Sequence, residues 1–116
     1  MDFKLIIALV SDDYTEKVIA RAREIGATGA TVITSGRGAG LKPQKSFFGL
    51  TIDGQVDMVM FIVERHLSRE ILEGISEAGH FDTGSGTGIA MQVNIEDAVG
   101  MTTQLETIEH EIEDHL

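Results

Sequence analysis

Two continuous apolar runs decide the fold. They are Leu5-Ile-Ile-Ala-Leu-Val10 and Met58-Val-Met-Phe-Ile-Val63. Runs rich in Ile, Val and Leu are typical of strands that are buried on both faces. Each run is followed by an amphipathic segment that stops at a glycine, Gly26 or Gly79, and this pattern predicts a helix. Corresponding positions lie 53 residues apart, so the chain contains an internal repeat.

Polar residues mark where the two helices are expected to begin. Asp13 and Glu16 have capping-box spacing at the start of the first helical segment. Ser68 stands just before the apolar positions of the second segment and has a side chain suited to capping. We therefore expect Asp13 and Ser68 to cap the two helices.

A further strand is expected after each helix, at residues 30–34 and at residues 89–95. The resulting order is βαβ followed by βαβ. It predicts an α+β protein with a four-stranded antiparallel sheet and two helices on one face, the ferredoxin-like double βαβ arrangement. Many unrelated proteins share this arrangement, so it assigns no function by itself.

Composition places the chain in a broad class. Its 116 residues suit one domain, 42% of them are hydrophobic, and a domain this small gains buried area by self-association. The absence of cysteine excludes disulfides, thiolate metal sites and cysteine nucleophiles, and it fits a reducing compartment. The longest apolar run is too short to span a bilayer. We therefore expect a cytoplasmic protein.

Charge is distributed unevenly along the chain. The net charge is −10, and all nine Lys and Arg residues lie within residues 1–69. The remainder carries eleven Asp and Glu residues and no base. Nucleic-acid binding relies on Lys and Arg to neutralise phosphates, so DNA and RNA are not expected as partners.

Three segments fall outside the repeat, at residues 35–55, 81–88 and 104–116. Residues 1–103 are expected to form one domain that contains a long loop at residues 35–55, and residues 104–116 form an acidic segment with helical spacing of its apolar residues. The loop is basic and rich in glycine, a composition that suits either a solvated loop or contact with an anion or an acidic partner. Its residues of interest are Arg37, Lys42, Lys45, Phe47 and Phe48.

A second candidate segment is Thr83-Gly-Ser-Gly-Thr-Gly88. Alternating glycines let a backbone approach a ligand, and successive amides can wrap an anion, although many such segments are only turns. No Lys follows, so this is not a Walker motif. His110 and His115 lie in the acidic segment, and His66 and His80 are expected at helix ends, so we predict neither a catalytic nor a metal site.

Several local sequences resemble the PII signal-transduction family, in the family's order. Gly26-Ala-Thr-Gly-Ala-Thr-Val32 resembles the entry to the second strand, and Gly36-Arg-Gly38 resembles the start of the T-loop. Thr83 to Gly88 resembles the B-loop, and Ile95-Glu-Asp-Ala-Val99 resembles the segment that closes the core. The resemblance extends over about residues 3–102.

This resemblance implies a homotrimeric signalling protein, not an enzyme, that binds an adenine nucleotide in clefts between subunits. Ligand state would then control a T-loop that docks on a membrane transporter or metabolic enzyme, as in nitrogen regulation. Lys42, Lys45, Phe47 and Phe48 would belong to the docking loop. The implied cleft residues are Ile7, Gly29, Thr31, Gly36, Arg37, Gly38, Val63, Glu64, Thr83, Gly84, Ser85, Gly86, Thr87 and Gly88.

The chain also departs from the family pattern. Gly88 stands where the family B-loop carries Lys, and residues 100–102 stand where family arginines clamp phosphates. Without those cations a triphosphate loses charge-assisted hydrogen bonds, so the expected ligand is a less charged adenosine compound, another small anion, or none at all. Two alternatives remain open at this stage: a structural or metal-linked trimer resembling CutA, and a small ferredoxin-like enzyme.

Overall fold

The structure, a computed structural model, describes residues 2–34, 44–47, 50–53, 55–84 and 86–100. Two helices alternate with strands along the chain. The elements are β1 (Phe3–Ser11), α1 (Thr15–Ile25), β2 (Thr31–Thr34), β3 (Gln44–Phe47), β4 (Leu50–Asp53), β5 (Val56–Glu64), α2 (Arg65–Gly79) and β6 (Gly88–Asn94). None of the helices within this part of the chain has the length and apolar character needed to traverse a bilayer.

Four of these strands form one antiparallel sheet in the order β2-β5-β1-β6. This confirms the predicted α+β class and the double βαβ arrangement. The two long strands pair centrally, with Ile7 opposite Met60, which is its own counterpart in the repeat 53 residues later. The axis that relates the two halves therefore passes through this pair.

The core lies between the sheet and the two helices. Alternate residues of the long strands are fully buried there, with Ile6 and Val10 from β1 and Val59 and Phe61 from β5. The intervening residues point to the opposite face because side chains alternate along a strand. That second face is also apolar: Leu9 and Val56 are buried there, and Ile7, Met58 and Met60 are partly buried. This explains why the sequence shows continuous apolar runs instead of a polar alternation.

The predicted stop at Gly26 is confirmed, whereas α2 includes Gly79 and has His80 as its C-cap. Both predicted N-caps are wrong. Helix α1 ends before Gly26, which has φ 137°, and its N-cap is Tyr14, with no side-chain capping bond from Asp13. Helix α2 starts before Ser68, because β5 runs directly into it. Its N-cap is Glu64, whose carboxylate accepts the His66 N–H at 2.7 Å. Ser68 instead donates to the Arg65 carbonyl inside the helix.

Part of the expected long loop forms a second, two-stranded sheet. Strands β3 and β4 pair antiparallel, with Gln44 opposite Asp53 and Phe47 opposite Leu50. Lys45 therefore lies on a strand. Several predicted positions lie outside the described residues: Gly36, Arg37, Gly38, Lys42, Phe48, Ser85 and the acidic segment 104–116.

Candidate functional site

The glycine-rich segment predicted as a B-loop is a closed turn that joins α2 to β6, and we call residues 80–88 the glycine turn. It starts at His80, which adopts a left-handed conformation (φ 55°) as the C-cap of α2. The His80 carbonyl accepts the Gly84 N–H at 2.7 Å and the Thr87 hydroxyl at 2.9 Å. Two donors that the sequence offered to an anion are therefore used inside the turn.

Close packing within the chain explains two of the glycines in this turn. A Cβ on Gly84 would lie 2.9 Å from the His80 carbonyl oxygen. A Cβ on Gly88 would lie 2.7 Å from the Leu9 carbonyl oxygen and 2.5 Å from the Phe81 ring. Gly86 has a positive φ of 70°, which favours glycine for conformational reasons. Folding of the turn is thus sufficient reason for glycine at these positions.

The end of β1 and the start of α1 hold the glycine turn in place. The Ser11 N–H donates to the Thr87 carbonyl at 2.8 Å, which extends the ladder between β1 and β6 into the turn. The Tyr14 ring meets the His80 ring edge-on, with centroids 5.6 Å apart. The Lys17 ammonium lies 5.8 Å from the same Tyr14 ring. Lys17 is a cation near the turn, and no sequence pattern predicted it there.

Negative charge nevertheless dominates the side of the turn that faces α2. Asp82 and Glu77 are both exposed there, and the Ser76 hydroxyl donates to the Asp82 carboxylate at 3.1 Å. The helix contributes no base in its last turn. A multiply charged anion would meet electrostatic repulsion on this side of the turn.

Three other predicted cleft residues lie near the middle of the sheet or beside it. Ile7 and Thr31 both pair with Met60, from the two strands that flank β5, and so share the face away from the helices. Gly29 precedes β2, is exposed, and has open space where a Cβ would stand. Unlike the glycines of the turn, Gly29 has no packing reason to be glycine.

The last two predicted residues lie at the far end of the sheet. Val63 is 1% exposed and packs in the helix-covered core, and Glu64 is 3% exposed. The Glu64 carboxylate caps α2 and also contacts His66 Nδ1 at 2.7 Å, a role that sequence reasoning missed. Glutamate is not among the residues that usually cap helices, and an apolar strand precedes Glu64, so no capping signal was visible in the sequence at this position.

The predicted cleft residues of one protomer therefore do not converge. Glu64 lies opposite Phe3, whereas Thr87 is bonded to Ser11 at the other end of β1. These ends are separated by about 26 Å at the usual rise per strand residue. Thr34, which precedes the loop, lies at the same end as Thr87 but on the opposite edge of the sheet, about 14 Å away.

One buried polar pair was also missed by sequence reasoning. The Thr15 hydroxyl donates to Asp57 Oδ2 at 2.7 Å, and both residues are buried where α1 meets β5. Asp57 Oδ1 is buried without a hydrogen-bond partner in the described part of the chain. No group of three or more His, Cys, Asp or Glu side chains is placed to hold a metal ion among the described residues.

Comparisons with known proteins agree with this arrangement. A crystal structure of a Thermus thermophilus protein described as PII-like and signaling aligns with a TM-score of 0.56 and 22% identity, covering 82% of this chain and 91% of that chain. At that identity the likeness shows the fold. No curated protein matches the sequence. The family model for nitrogen regulatory protein P-II matches residues 3–104, which is most of the chain, and the chain therefore belongs to the P-II family.

Proposed function

We propose that this chain is a trimeric signalling protein that senses a small ligand in clefts between subunits. Its output is regulation of a partner, a membrane transporter or a metabolic enzyme, through the loop at residues 35–55. The observation that carries the proposal is the separation of the predicted cleft residues over two ends and two edges of the sheet. A cleft that contains them all requires residues from more than one copy. The proposal assigns no catalytic residue.

The apolar face away from the helices supplies a surface for this assembly. Ile7, Met60 and Met91 lie side by side on neighbouring strands, and all three are only half-buried in the single chain. Val93 on the same face is 38% exposed. A contiguous apolar surface of this kind marks an interaction site, and closed symmetric assembly is the usual way to bury it.

The ligand we propose is a weakly charged adenosine compound. The glycine turn uses the Gly84 N–H and the Thr87 hydroxyl internally, which leaves fewer donors for phosphate oxygens. The neighbouring carboxylates of Glu77 and Asp82 raise the energy of an approaching triphosphate. Lys17, near the Tyr14 ring, and Arg69, which lines a groove with Phe81, Asp82 and Gly88, are described cations near the turn, and a triphosphate carries more charge than these two cations balance.

Light scattering tests the assembly. We expect a mass three times that of the 12.6 kDa protomer at micromolar concentration. Met60→Glu places a charge in the centre of the proposed interface and should lower the mass to that of one protomer, because burying an unpaired carboxylate is costly. Glu70→Gln, on an exposed position of α2, is the matched control and should remain trimeric. A monomeric wild-type protein overturns the proposal.

Calorimetry with adenosine, AMP, ADP and ATP tests the ligand. We expect affinity to fall as phosphates are added, because each phosphate adds charge without a matching cation. An Arg37→Ala variant shows whether the loop supplies the missing cation. Tight ATP binding that persists in this variant contradicts the assignment of a weakly charged ligand, although the trimer itself would stand.

A further inference from the structure

The turn that joins β1 to α1 contacts two separate parts of the molecule, and we call residues 11–15 the β1–α1 turn. The Ser11 N–H donates to the Thr87 carbonyl at 2.8 Å, on the glycine turn. The Asp12 N–H donates to the Gln55 carbonyl at 2.9 Å, at the end of the proposed docking loop. The β1–α1 turn therefore connects the glycine turn with the point where that loop returns to the sheet.

Backbone bonds tie the two ends of the β1–α1 turn together. The Tyr14 N–H donates to the Ser11 carbonyl at 2.9 Å, and the Thr15 N–H lies 3.4 Å from the Asp12 carbonyl. The Val18 N–H donates to the Tyr14 carbonyl at 3.0 Å, so the turn continues directly into α1. We therefore expect a displacement at one end of the turn to move the other end.

A ring contact joins the β1–α1 turn to the glycine turn a second time. The Tyr14 ring meets the His80 ring edge-on, with centroids 5.6 Å apart. His80 ends α2 in a left-handed conformation, and its carbonyl accepts the Gly84 N–H and the Thr87 hydroxyl. A change in the glycine turn that moves His80 therefore also acts on Tyr14.

A buried side-chain bond joins the start of α1 to the base of the loop. The Thr15 hydroxyl donates to Asp57 Oδ2 at 2.7 Å, and both residues are 7% exposed. Asp57 follows the loop and is paired with Val10 on one side and Thr34 on the other. Because Thr34 directly precedes the loop, Asp57 lies where the two ends of the loop meet.

The bonding of Asp57 is incomplete, which argues against a role in stability alone. Asp57 Oδ1 is buried and has no hydrogen-bond partner among the described residues. A buried polar group with an unpaired atom costs free energy, and two apolar side chains of similar shape would avoid that cost. A local rule that is broken without a gain in stability is typical of functional positions.

We propose that Thr15 and Asp57 are positioning residues that link the glycine turn to the base of the loop. A change in the glycine turn moves the β1–α1 turn, and the Thr15–Asp57 bond transmits this movement to the strand residues that follow the loop. The value of this link for signalling rests on the proposed function. The link itself requires neither a ligand nor a partner protein.

Three variants separate this link from a purely structural role. Thr15→Val/Asp57→Val removes both polar groups, and it should fold because an apolar pair commonly preserves stability. Thr15→Ser is the matched control, since it keeps the hydroxyl. His80→Asn perturbs the glycine turn, because it deletes the ring that meets Tyr14 while asparagine tolerates the left-handed conformation at this position.

Amide hydrogen exchange measures the link at residues 56–58, which directly follow the loop. In the wild-type and Thr15→Ser backgrounds, we expect His80→Asn to accelerate exchange at these residues by between about twofold and thirtyfold. In the Thr15→Val/Asp57→Val background, His80→Asn should leave exchange there unchanged. A role in stability alone does not predict this difference between backgrounds.

Lys4 and Val63 pair at the far end of the sheet and serve as internal controls. Equal acceleration in all backgrounds, no acceleration in the wild type, or acceleration that also reaches these two residues overturns the proposal. Should the double variant fail to fold, Thr15→Val replaces it, and a response that persists in Thr15→Val overturns the proposal as well. No ligand is used, so the result is independent of whether the proposed adenosine ligand is correct.

Discussion

Alanine substitutions at Gly88 and Gly29 should have opposite effects on stability. A Cβ at position 88 would lie 2.7 Å from the Leu9 carbonyl oxygen, which is fixed in the ladder between β1 and β6, and 2.5 Å from the Phe81 ring. Overpacking of this kind costs about 1–3 kcal/mol. For a domain of this size that lowers the melting temperature by roughly 4–20 °C. A Cβ at position 29 meets nothing within 4 Å, so Gly29→Ala should be neutral or stabilise by about 0.4–1 kcal/mol through the unfolded chain.

Thermal and urea unfolding at equal protomer concentration measure this difference. The stable Gly29→Ala protein can then be titrated with adenosine and AMP, because a loss of binding there cannot be attributed to a loss of structure. A Gly88→Ala protein as stable as the wild type would show that the glycine turn is not closely packed. A destabilised Gly29→Ala protein would show that its surroundings are not open.

Three further predictions concern stability. Glu64→Ala should cost about 1–3 kcal/mol in urea unfolding because it removes a buried cap, whereas Glu70→Ala should change stability by less than about 0.5 kcal/mol. Gly74→Ala should change stability by less than about 1 kcal/mol, because the closest atom to its Cβ would be the terminal Cδ1 of Ile25, which can rotate away, while alanine favours a helix interior over glycine by roughly 1 kcal/mol. Alanine should be more favourable in an Ile25→Val background, which lacks that terminal atom, and equal effects in both backgrounds in urea unfolding would show that the two residues do not touch. The unfolding midpoint of the wild type should rise with protomer concentration, as for any obligate oligomer, and a constant midpoint argues against one.

Local sequence patterns did not predict where the two helices begin. Asp13 and Ser68 have the right chemistry and spacing for caps, yet neither serves as one. Strand β5 continues without a turn into α2, so the first free N–H groups meet the Glu64 carboxylate before the chain reaches Ser68. Capping depends on the direction in which the chain enters the helix, and that direction is set by the sheet.

The role of the glycine turn could not be predicted from local sequence either. Alternating glycines indicate either close approach of a ligand or close approach of the chain to itself, and the pattern is the same in both cases. The carbonyl group against Gly88 belongs to Leu9, which is far away in sequence, and the one against Gly84 belongs to His80, whose left-handed conformation ends α2. Their positions become known only when β1 and α2 are placed beside the turn.

The sequence by itself determined the four strands of the main sheet, the approximate C-terminal ends of the two helices and the family. Strands and helices show periods of 2 and 3.6 residues in their apolar positions, and these patterns are local properties of the chain. The same patterns recur 53 residues later in the sequence. Tertiary structure decided what lies next to what: the separation of Glu64 from the glycine turn, the edge-on contact of the Tyr14 and His80 rings, and the acidic groove between β6 and α2. These are contacts between residues far apart in sequence, and they follow from the strand order β2-β5-β1-β6, which no local pattern specifies.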